Sequence, residues 1–330
     1  MADSGLAIAH GGGLIAARAR FPMAPEPWID LSTGINPLPY PAPKLRPEVY
    51  HRLPEPEEVR QLEAVAARAY GVADPRMVVG APGTQILISL LPRLLQQDAV
   101  AIVGPTYAEH AAAWVAGGSA VRIVDGIDAL GAERALVLCN PNNPDGRRFR
   151  DADLAQLAGR LSLLVVDEAF ADLEEAGLSL APTLPANAVV LRSFGKTYGL
   201  AGLRLGFAIA APALAQRIRT ALGPWAVSGA AIEIGKAALA DNAWLAGAKE
   251  RGASSASRLD GLLTKAGLQV VGGTRLFRLA RTANAKTVFN RLGQAGIFVR
   301  RFEAEPTWLR FGVPGHAWDR IEAALLGPDP

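Results

Sequence analysis

Residues 189–207 read VVLRSFGKTYGLAGLRLGF, and this stretch decides how the rest of the chain is interpreted. An apolar run at residues 189–191 predicts a buried strand, and the small residues after it predict a tight turn with Lys196 between Gly195 and Gly199. A lysine amine in a dry, crowded turn loses its proton more easily, and the neutral amine can form a Schiff base. A surface turn with an ordinary solvated lysine fits the same residues, so the rest of the chain has to decide.

Length and composition indicate an ordinary globular protein. The 330 residues can bury a substantial core in one or two domains, and half of them are hydrophobic. The net charge is +3, but the basic residues alternate with acidic ones, and no basic run predicts nucleic-acid binding. The single cysteine, Cys139, excludes an internal disulfide framework and favours a reducing compartment, so we expect a cytoplasmic protein. Neither a secretory signal nor a membrane-spanning stretch is predicted.

The first 44 residues are rich in glycine and proline. Three glycines at residues 11–13 and seven prolines between residues 22 and 43 predict an irregular arm that contains neither a helix nor a central strand. His10 and Asn36 are the polar side chains of this arm that a mere linker would not need, although His10 by itself is equally an ordinary solvated residue.

Short apolar runs alternate with helical patterns between about residues 77 and 210. This alternation predicts a mostly parallel sheet with helices on both faces, whose ligand lies beyond the carboxyl ends of the strands. Polar clusters follow the predicted strands at residues 83–84, 105–107, 140–143, 167 and 193–196. Their common position at strand ends predicts one shared active site.

The pattern changes after residue 211, where an alanine-rich helical region precedes further predicted strands at residues 276–279, 297–299 and 308–311. These features predict a smaller α+β domain packed on the first. We therefore expect an N-terminal arm over residues 1–44, a large α/β domain over residues 45–215 and a small C-terminal domain over residues 216–330.

Several of these polar residues have complementary chemistry. A helix that begins at Gly83 and Thr84 offers free N–H groups to an anion, and Ser193 with Arg204 can complete a phosphate site. Tyr107 can stack on a flat ring, and Asn143 can donate to a ring hydroxyl. Asp167 ends a buried strand, where a carboxylate needs a cationic partner such as a protonated ring nitrogen. Each residue alone also has a structural interpretation, but with Lys196 they describe a pyridoxal-phosphate site.

Three motifs carry a family resemblance: NPNNP at residues 140–144, DEAF at residues 167–170, and SFGK at residues 193–196 followed by Arg204. Over nearly its whole length the chain resembles the fold-type I pyridoxal-phosphate enzymes, which implies an α/β fold like that of aspartate aminotransferase. The resemblance implies that Lys196 carries the cofactor and that Asp167 contacts the pyridine nitrogen. It places Asn143 at the ring oxygen and Arg310 at the substrate α-carboxylate. The residues implied at the cofactor phosphate are Gly83, Thr84, Gln85, Ser193 and Arg204. No metal is expected.

Two branches of this family compete, the histidinol-phosphate aminotransferases and the L-threonine-O-3-phosphate decarboxylases of cobalamin (vitamin B12) biosynthesis. The run His10-Gly11-Gly12, the run INPL at residues 35–38 and Phe170 resemble the decarboxylases. This resemblance implies that the substrate phosphate is held by His10, Gly11, Asn36 and Arg300, with Asn143 also near the substrate. The adjacent Arg301 leaves the choice between the two arginines open.

The sequence also departs from the family pattern. Residues 145–147 read DGR where Thr-Gly is usual, and Phe170 cannot supply the phenolic hydrogen bond of many aminotransferases. Leu53 stands where the aminotransferases usually carry a tyrosine that reaches the neighbouring subunit. The family implies a homodimer acting on a small phosphorylated amino acid. A cofactor-binding regulatory protein is a third alternative, but we find no DNA-binding segment that such proteins usually carry.

Overall fold

The computed structural model describes residues 11–327, so His10, one of the predicted substrate residues, lies outside the described part. Two compact units make up the chain. One comprises residues 38–251, and the other joins the residues up to Pro37 to those from Gly252 onward. None of the helices in the described residues combines the length and the apolarity that a bilayer crossing demands.

Strands and helices alternate along most of the chain. Within residues 11–327 the strands are β1 (Ile29–Leu31), β2 (Val78–Ala81), β3 (Ala99–Val103), β4 (Ala120–Val124), β5 (Ala135–Cys139), β6 (Leu163–Asp167), β7 (Ala188–Ser193), β8 (Gly206–Ala210), β9 (Gln269–Thr274), β10 (Phe277–Arg281), β11 (Ile297–Arg301) and β12 (Trp308–Gly312). The α-helices are α1 (Leu14–Arg20), α2 (Glu48–His51), α3 (Pro56–Ala69), α4 (Thr84–Leu95), α5 (Ala108–Ala116), α6 (Asp151–Ala158), α7 (Phe194–Thr197), α8 (Pro212–Leu222), α9 (Gly229–Ala240), α10 (Asn242–Lys265), α11 (Ala285–Gln294) and α12 (Trp318–Leu326).

The larger unit is built on a seven-stranded sheet with the order β2-β8-β7-β6-β5-β3-β4. Strands β3 to β7 run parallel to one another, whereas β8 is antiparallel to both β2 and β7. Every residue of β5 and β6 is buried, as expected of strands covered on both faces. This is the mostly parallel sheet that the alternation of apolar runs predicted.

The smaller unit has a mixed five-stranded sheet with the order β1-β11-β12-β10-β9. Its core packs α10, α11 and α12 on the sheet through buried side chains such as Leu259, Phe289, Leu292 and Ile321. An α+β composition for this unit agrees with the sequence pattern.

The division between the units falls elsewhere than the expected boundary after residue 215. Helix α9 belongs to the larger unit because Ile232 and Leu239 share a core with Leu62 and Ala66 of α3. The division therefore falls within α10, between Arg251 and Gly252. At the other end, β1 pairs in parallel with β11, which assigns the N-terminal residues to the smaller unit.

The prediction that residues 1–44 contain no helix was wrong, because Leu14–Arg20 form α1. Those seven residues contain neither glycine nor proline, so the surrounding breakers limit the length of the helix without preventing it. As for strands, the sequence excluded only a central one in this region. Strand β1 lies at the edge of its sheet and pairs on one side, so it does not contradict that prediction.

Candidate active site

The predicted cofactor residues lie at one edge of the seven-stranded sheet. Tyr107 follows β3, Asn143 follows β5, and Asp167 ends β6. Ser193 ends β7, and Gly83 follows β2. Because β8 is antiparallel to both of its neighbours, β2 and β7 run in the same direction, and their carboxyl ends meet at the same edge. The sheet topology thus gathers side chains that are distant in sequence.

Helix α4 begins at this edge against Arg204. Gly83 precedes the helix with a left-handed φ of 84°, and a Cβ there would lie 2.5 Å from Arg204 Nη2. A Cβ on Gly206 would lie 2.9 Å from Thr84 N, and Gly206 is opposite Ser193 in the ladder. The helix N-terminus, the Ser193 hydroxyl and the guanidinium therefore line one small cradle, which suits a phosphate group.

Lys196 lies in the short helix α7, directly after β7. It is half-buried, and its Nζ lies 5.7 Å from the centre of the Phe170 ring. A Cβ on Gly195 would lie 2.7 Å from Ala201 Cα, so the turn is as tight as the sequence predicted. The tight turn therefore holds the lysine amine beside an apolar ring.

Asp167 is buried and has a partner that the sequence analysis missed. His110 Nε2 lies 2.9 Å from Asp167 Oδ2, and the Ala169 N–H donates to Asp167 Oδ1 over 3.0 Å. Burial lowers the pKa of His110, but Cys139 and Asp167 more than offset this effect and raise that pKa to about 10. His110 is therefore an imidazolium at neutral pH, and it pairs with Asp167.

The loop after β5 is fastened by its own side chains. Asn142 Nδ2 donates to Pro105 O over 2.9 Å and to Asp145 Oδ1 over 2.7 Å. Thr106 Oγ1 donates to Asn142 Oδ1 over 2.6 Å and lies 3.2 Å from Cys139 Sγ. Asp145, which departs from the family motif, thus closes the loop that carries Asn143.

Tyr107 and Gln85 interact at the start of α5. Tyr107 donates its hydroxyl to Gln85 Oε1 over 3.0 Å, and Gln85 Nε2 donates to Glu109 Oε2 over 3.3 Å. Both of the Gln85 amide atoms are thereby engaged with neighbouring side chains. The contribution of Gln85 to a phosphate site is consequently its backbone N–H in the first turn of α4.

A buried ion-pair network supports the segment that follows Asp167. Arg192 donates to Glu168 Oε2 over 2.7 Å and also to Asp172. Glu168 also accepts from the Ser179 hydroxyl over 2.6 Å and from the Leu180 N–H over 2.7 Å. This network fixes the chain on both sides of Phe170, the residue whose ring lies near Lys196.

Apart from Asn143, the predicted substrate residues that the structure describes belong to the smaller unit. Arg310 is buried in β12, and the antiparallel register places it directly opposite Arg300 of β11. Burial and the Arg300 charge lower the pKa of Arg310 to about 10, against a smaller opposing effect of Asp30. Arg301 instead lies over the Phe289 ring, with 5.2 Å between Cζ and the ring centre.

Directly opposed residues of antiparallel strands project to the same face, and successive residues project to opposite faces. Arg300 and Arg310 therefore share a face with concentrated positive charge, whereas Arg301 packs on α11. The other predicted substrate residues of the smaller unit are Asn36, which is 9% exposed, and Gly11, which lies beside Ser32. The register thus distinguishes the two adjacent arginines, because Arg300 shares a face with Arg310 and Arg301 does not.

The residues of the larger unit fit pyridoxal phosphate. They comprise an amine near an apolar ring, a buried carboxylate paired with His110, and a cradle that a Cβ on Gly83 would partly fill. These are the groups that would bind the aldehyde, the ring nitrogen and the phosphate of that cofactor.

Comparisons with known proteins identify the family of the chain. The profile of the family described as aminotransferase class I and II matches residues 28–325. A threonine-phosphate decarboxylase of Sinorhizobium sp. is 46% identical over 97% of both chains. One of Pseudomonas aeruginosa is 38% identical over 97% of this chain and 98% of its own. A histidinol-phosphate aminotransferase of Geobacter sp. is 30% identical over 85% of both.

Among solved structures, histidinol-phosphate aminotransferase from Sinorhizobium meliloti in complex with pyridoxal-5'-phosphate superposes with a TM-score of 0.82. It is 22% identical, and the alignment covers 95% of this chain and 93% of that one. At this identity the likeness concerns the fold. The expected architecture, a large mostly parallel sheet like that of the aspartate aminotransferases, is confirmed.

Proposed function

The chain belongs to the class I and II aminotransferase family, and we propose that within it the protein is a pyridoxal-phosphate-dependent decarboxylase. Its reaction converts L-threonine O-3-phosphate to (R)-1-amino-2-propanol O-2-phosphate and carbon dioxide, a step of cobalamin biosynthesis. The observation that carries the proposal is the 46% and 38% identity to two threonine-phosphate decarboxylases over 97% of the chain. The histidinol-phosphate aminotransferases are more distant, at 30%.

Pyridoxal phosphate supplies an aldehyde that binds amines and a ring that accepts electrons from the substrate α-carbon. Lys196 would hold the aldehyde and afterwards, through its Nζ, return a proton to the α-carbon. Asp167, paired with His110, would hold a proton on the ring nitrogen. Tyr107 would pack on the ring, and Asn143 would donate to its oxygen.

The phosphate of the cofactor would be bound by the cradle at the start of α4. Gly83, Thr84 and Gln85 would contribute backbone N–H groups, and Thr84 its hydroxyl as well. Ser193 would add a hydroxyl, and Arg204 a guanidinium whose other nitrogen, Nη1, donates to Ala201 O over 3.0 Å. That last contact orients the guanidinium before any ligand binds.

Substrate orientation decides which bond at the α-carbon breaks, because the bond perpendicular to the cofactor ring is weakened. Arg310 would bind the substrate carboxylate, while His10, Gly11, Asn36 and Arg300 would bind its phosphate. Anchoring both ends of the substrate would rotate its carboxylate to the position perpendicular to the cofactor ring, from which it leaves as carbon dioxide. An aminotransferase with the same cofactor residues must present the α-hydrogen instead.

The proposal extends to a homodimer in a reducing cytoplasm. The single cysteine is consistent with that compartment, and the homodimer follows from the family resemblance. Sedimentation of the protein loaded with the cofactor would test the oligomeric state directly.

The deciding experiment supplies the purified protein, loaded with pyridoxal phosphate, with L-threonine O-3-phosphate alone and measures carbon dioxide. We expect release over many turnovers without an oxo acid, and no release from Lys196→Ala. Lys236→Ala, which removes a lysine that pairs with Glu233 over 2.7 Å, is the matched control and should retain activity. Absence of release, with conversion of the cofactor to its amine form by histidinol phosphate, would establish the aminotransferase instead.

A further inference from the structure

The segment after β1 is enclosed between two glycines of the smaller unit. A Cβ on Gly11 would lie 2.3 Å from Ser32 O, and a Cβ on Gly312 would lie 2.3 Å from Thr33 O. Both distances are far below van der Waals contact, so only glycine allows the backbones to approach this closely. The three backbone segments are consequently packed as layers, with Ser32 in the middle one.

Ser32 is fully buried, and each of its polar groups has a partner. Its Oγ accepts from the Gly12 N–H over 2.7 Å and donates to Asp30 Oδ1 over 2.6 Å. Its own N–H donates to the same Asp30 oxygen over 2.8 Å. Its carbonyl accepts from Arg310 Nη2 over 2.8 Å. One residue therefore contacts both the N-terminal segment and the buried arginine.

The use of a carbonyl to hold Arg310 has an electrostatic consequence. A carbonyl orients the guanidinium without neutralising it, whereas a direct carboxylate partner would cancel much of the charge that an incoming anion needs. Asp30 is the carboxylate near Arg310, and one of its oxygens is occupied by two hydrogen bonds from Ser32. Ser32 thus fixes the direction of the Arg310 guanidinium through an uncharged group.

We propose that Ser32 is a positioning residue that couples the N-terminal segment at Gly11 and Gly12 to Arg310. The role in catalysis rests on the proposed function, in which Arg310 binds the substrate carboxylate and Gly11 contributes to binding its phosphate. Ser32 then fixes the separation of the groups that bind the two ends of the substrate. Loss of its hydroxyl releases the segment from the arginine while the carbonyl still orients Arg310.

Ser32→Ala tests this coupling, because it removes the Oγ bonds to Gly12 and Asp30 and keeps the backbone bonds. We expect faster amide hydrogen exchange in peptides covering residues 11–16, measured without substrate. We also expect the KM for L-threonine O-3-phosphate to rise about tenfold, the usual effect of one lost buried hydrogen bond, with little change in kcat. Thr33→Ala removes a hydroxyl from the neighbouring residue and should change neither quantity.

Gly11→Ala provides a second variant, since its Cβ would lie 2.3 Å from Ser32 O and must displace the segment from Ser32. It should raise the KM in the same way. Unchanged exchange in Ser32→Ala, or faster exchange with an unchanged KM, would overturn the proposal. If the wild-type protein released no carbon dioxide, the proposed function would fail, whereas the exchange measurement would still decide whether Ser32 fastens the segment.

Discussion

His110 Nε2 lies 2.9 Å from Asp167 Oδ2, and both side chains are almost completely inaccessible to solvent. The two residues come from different elements, α5 and β6, and meet under the carboxyl edge of the sheet. A buried charge pair of this kind is stable only while both partners remain ionised. His110 therefore does more than fill space, because its contact with Asp167 raises the pKa of its own imidazole.

The pH dependence of folding should show this pair. The pKa of His110 is raised from 6.5 to about 10 in the folded protein, so its protonated form stabilises the fold fully below pH 6.5. That contribution is lost as the pH rises through about 10. We expect the difference in free energy of unfolding between wild type and His110→Gln to shrink from pH 6.5 to pH 10, measured by urea denaturation.

The exposed His51 provides the control for this measurement, since it lies in the short helix α2 without burial. His51→Gln should give no pH-dependent difference from wild type. A His110→Gln difference that stayed constant over the same range would show that the imidazole is neutral in the folded state.

The sequence predicted the site residues that strand ends position. Asp167, Ser193 and Lys196 follow continuous apolar runs, and in a parallel sheet such runs end at one edge. The proximity of these residues could therefore be inferred from the periodicity of the sequence, and the tight turn could be inferred from its glycines. The same logic explains why the mostly parallel sheet was predictable before any coordinates.

The residues that were missed depend on distances across the fold. His110 lies within a helix among alanines, and its partner is 57 residues away, so no local pattern marks it. Ser32 and Arg310 are 278 residues apart. Helix α1 was missed because the prolines around it dominated the local pattern. The end of the larger unit was predicted at the wrong residue. The sequence of an alanine-rich helix does not indicate which of two cores the helix packs into.

The cradle at the start of α4 should be sensitive to a single methyl group. Gly83→Ala places a Cβ 2.5 Å from Arg204 Nη2 and must displace the guanidinium. We expect about tenfold weaker binding of pyridoxal phosphate, measured by fluorescence titration, because a charged hydrogen bond is lost. Gly118→Ala is the matched control, since Gly118 also has a positive φ, 91°, but no neighbouring atom within 4 Å.

Both substitutions place a Cβ at a positive φ, which typically costs about 1–3 kcal/mol in the free energy of unfolding. Both variants should therefore be less stable than wild type, while only Gly83→Ala weakens cofactor binding. Equal cofactor affinity in the two variants would show that Arg204 does not bind the cofactor phosphate in the cradle.

The two adjacent arginines of β11, Arg300 and Arg301, should differ in their contribution to substrate binding. Arg300→Ala removes the charge that lies opposite Arg310, and we expect the KM for L-threonine O-3-phosphate to rise at least about tenfold. Arg301→Ala removes a guanidinium that packs on Phe289, so its KM should remain near that of wild type. Steady-state carbon dioxide release measures both variants. A larger effect in Arg301→Ala would reverse the assignment.

The buried network around Arg192 should contribute to the stability of the larger unit. Burial lowers the pKa of Arg192, but the Asp172 and Glu168 carboxylates outweigh it and raise that pKa. Arg192→Leu leaves both carboxylates buried without their cation, which typically costs about 3–5 kcal/mol in the free energy of unfolding. Urea denaturation at neutral pH measures this loss.

The surface pair of Arg76 and Asp74 supplies the contrast, because Arg76 is largely solvent-exposed although its Nη2 lies 2.8 Å from Asp74 Oδ2. Arg76→Leu should hardly change the urea concentration at the midpoint of unfolding, since water replaces the lost partner of Asp74. In Arg192→Leu, burial raises the pKa of Glu168 further once its cation is removed, so lower pH should recover part of the lost stability. A loss independent of pH would mean that the leucine disrupts packing, and that the stranded charges are not the cause.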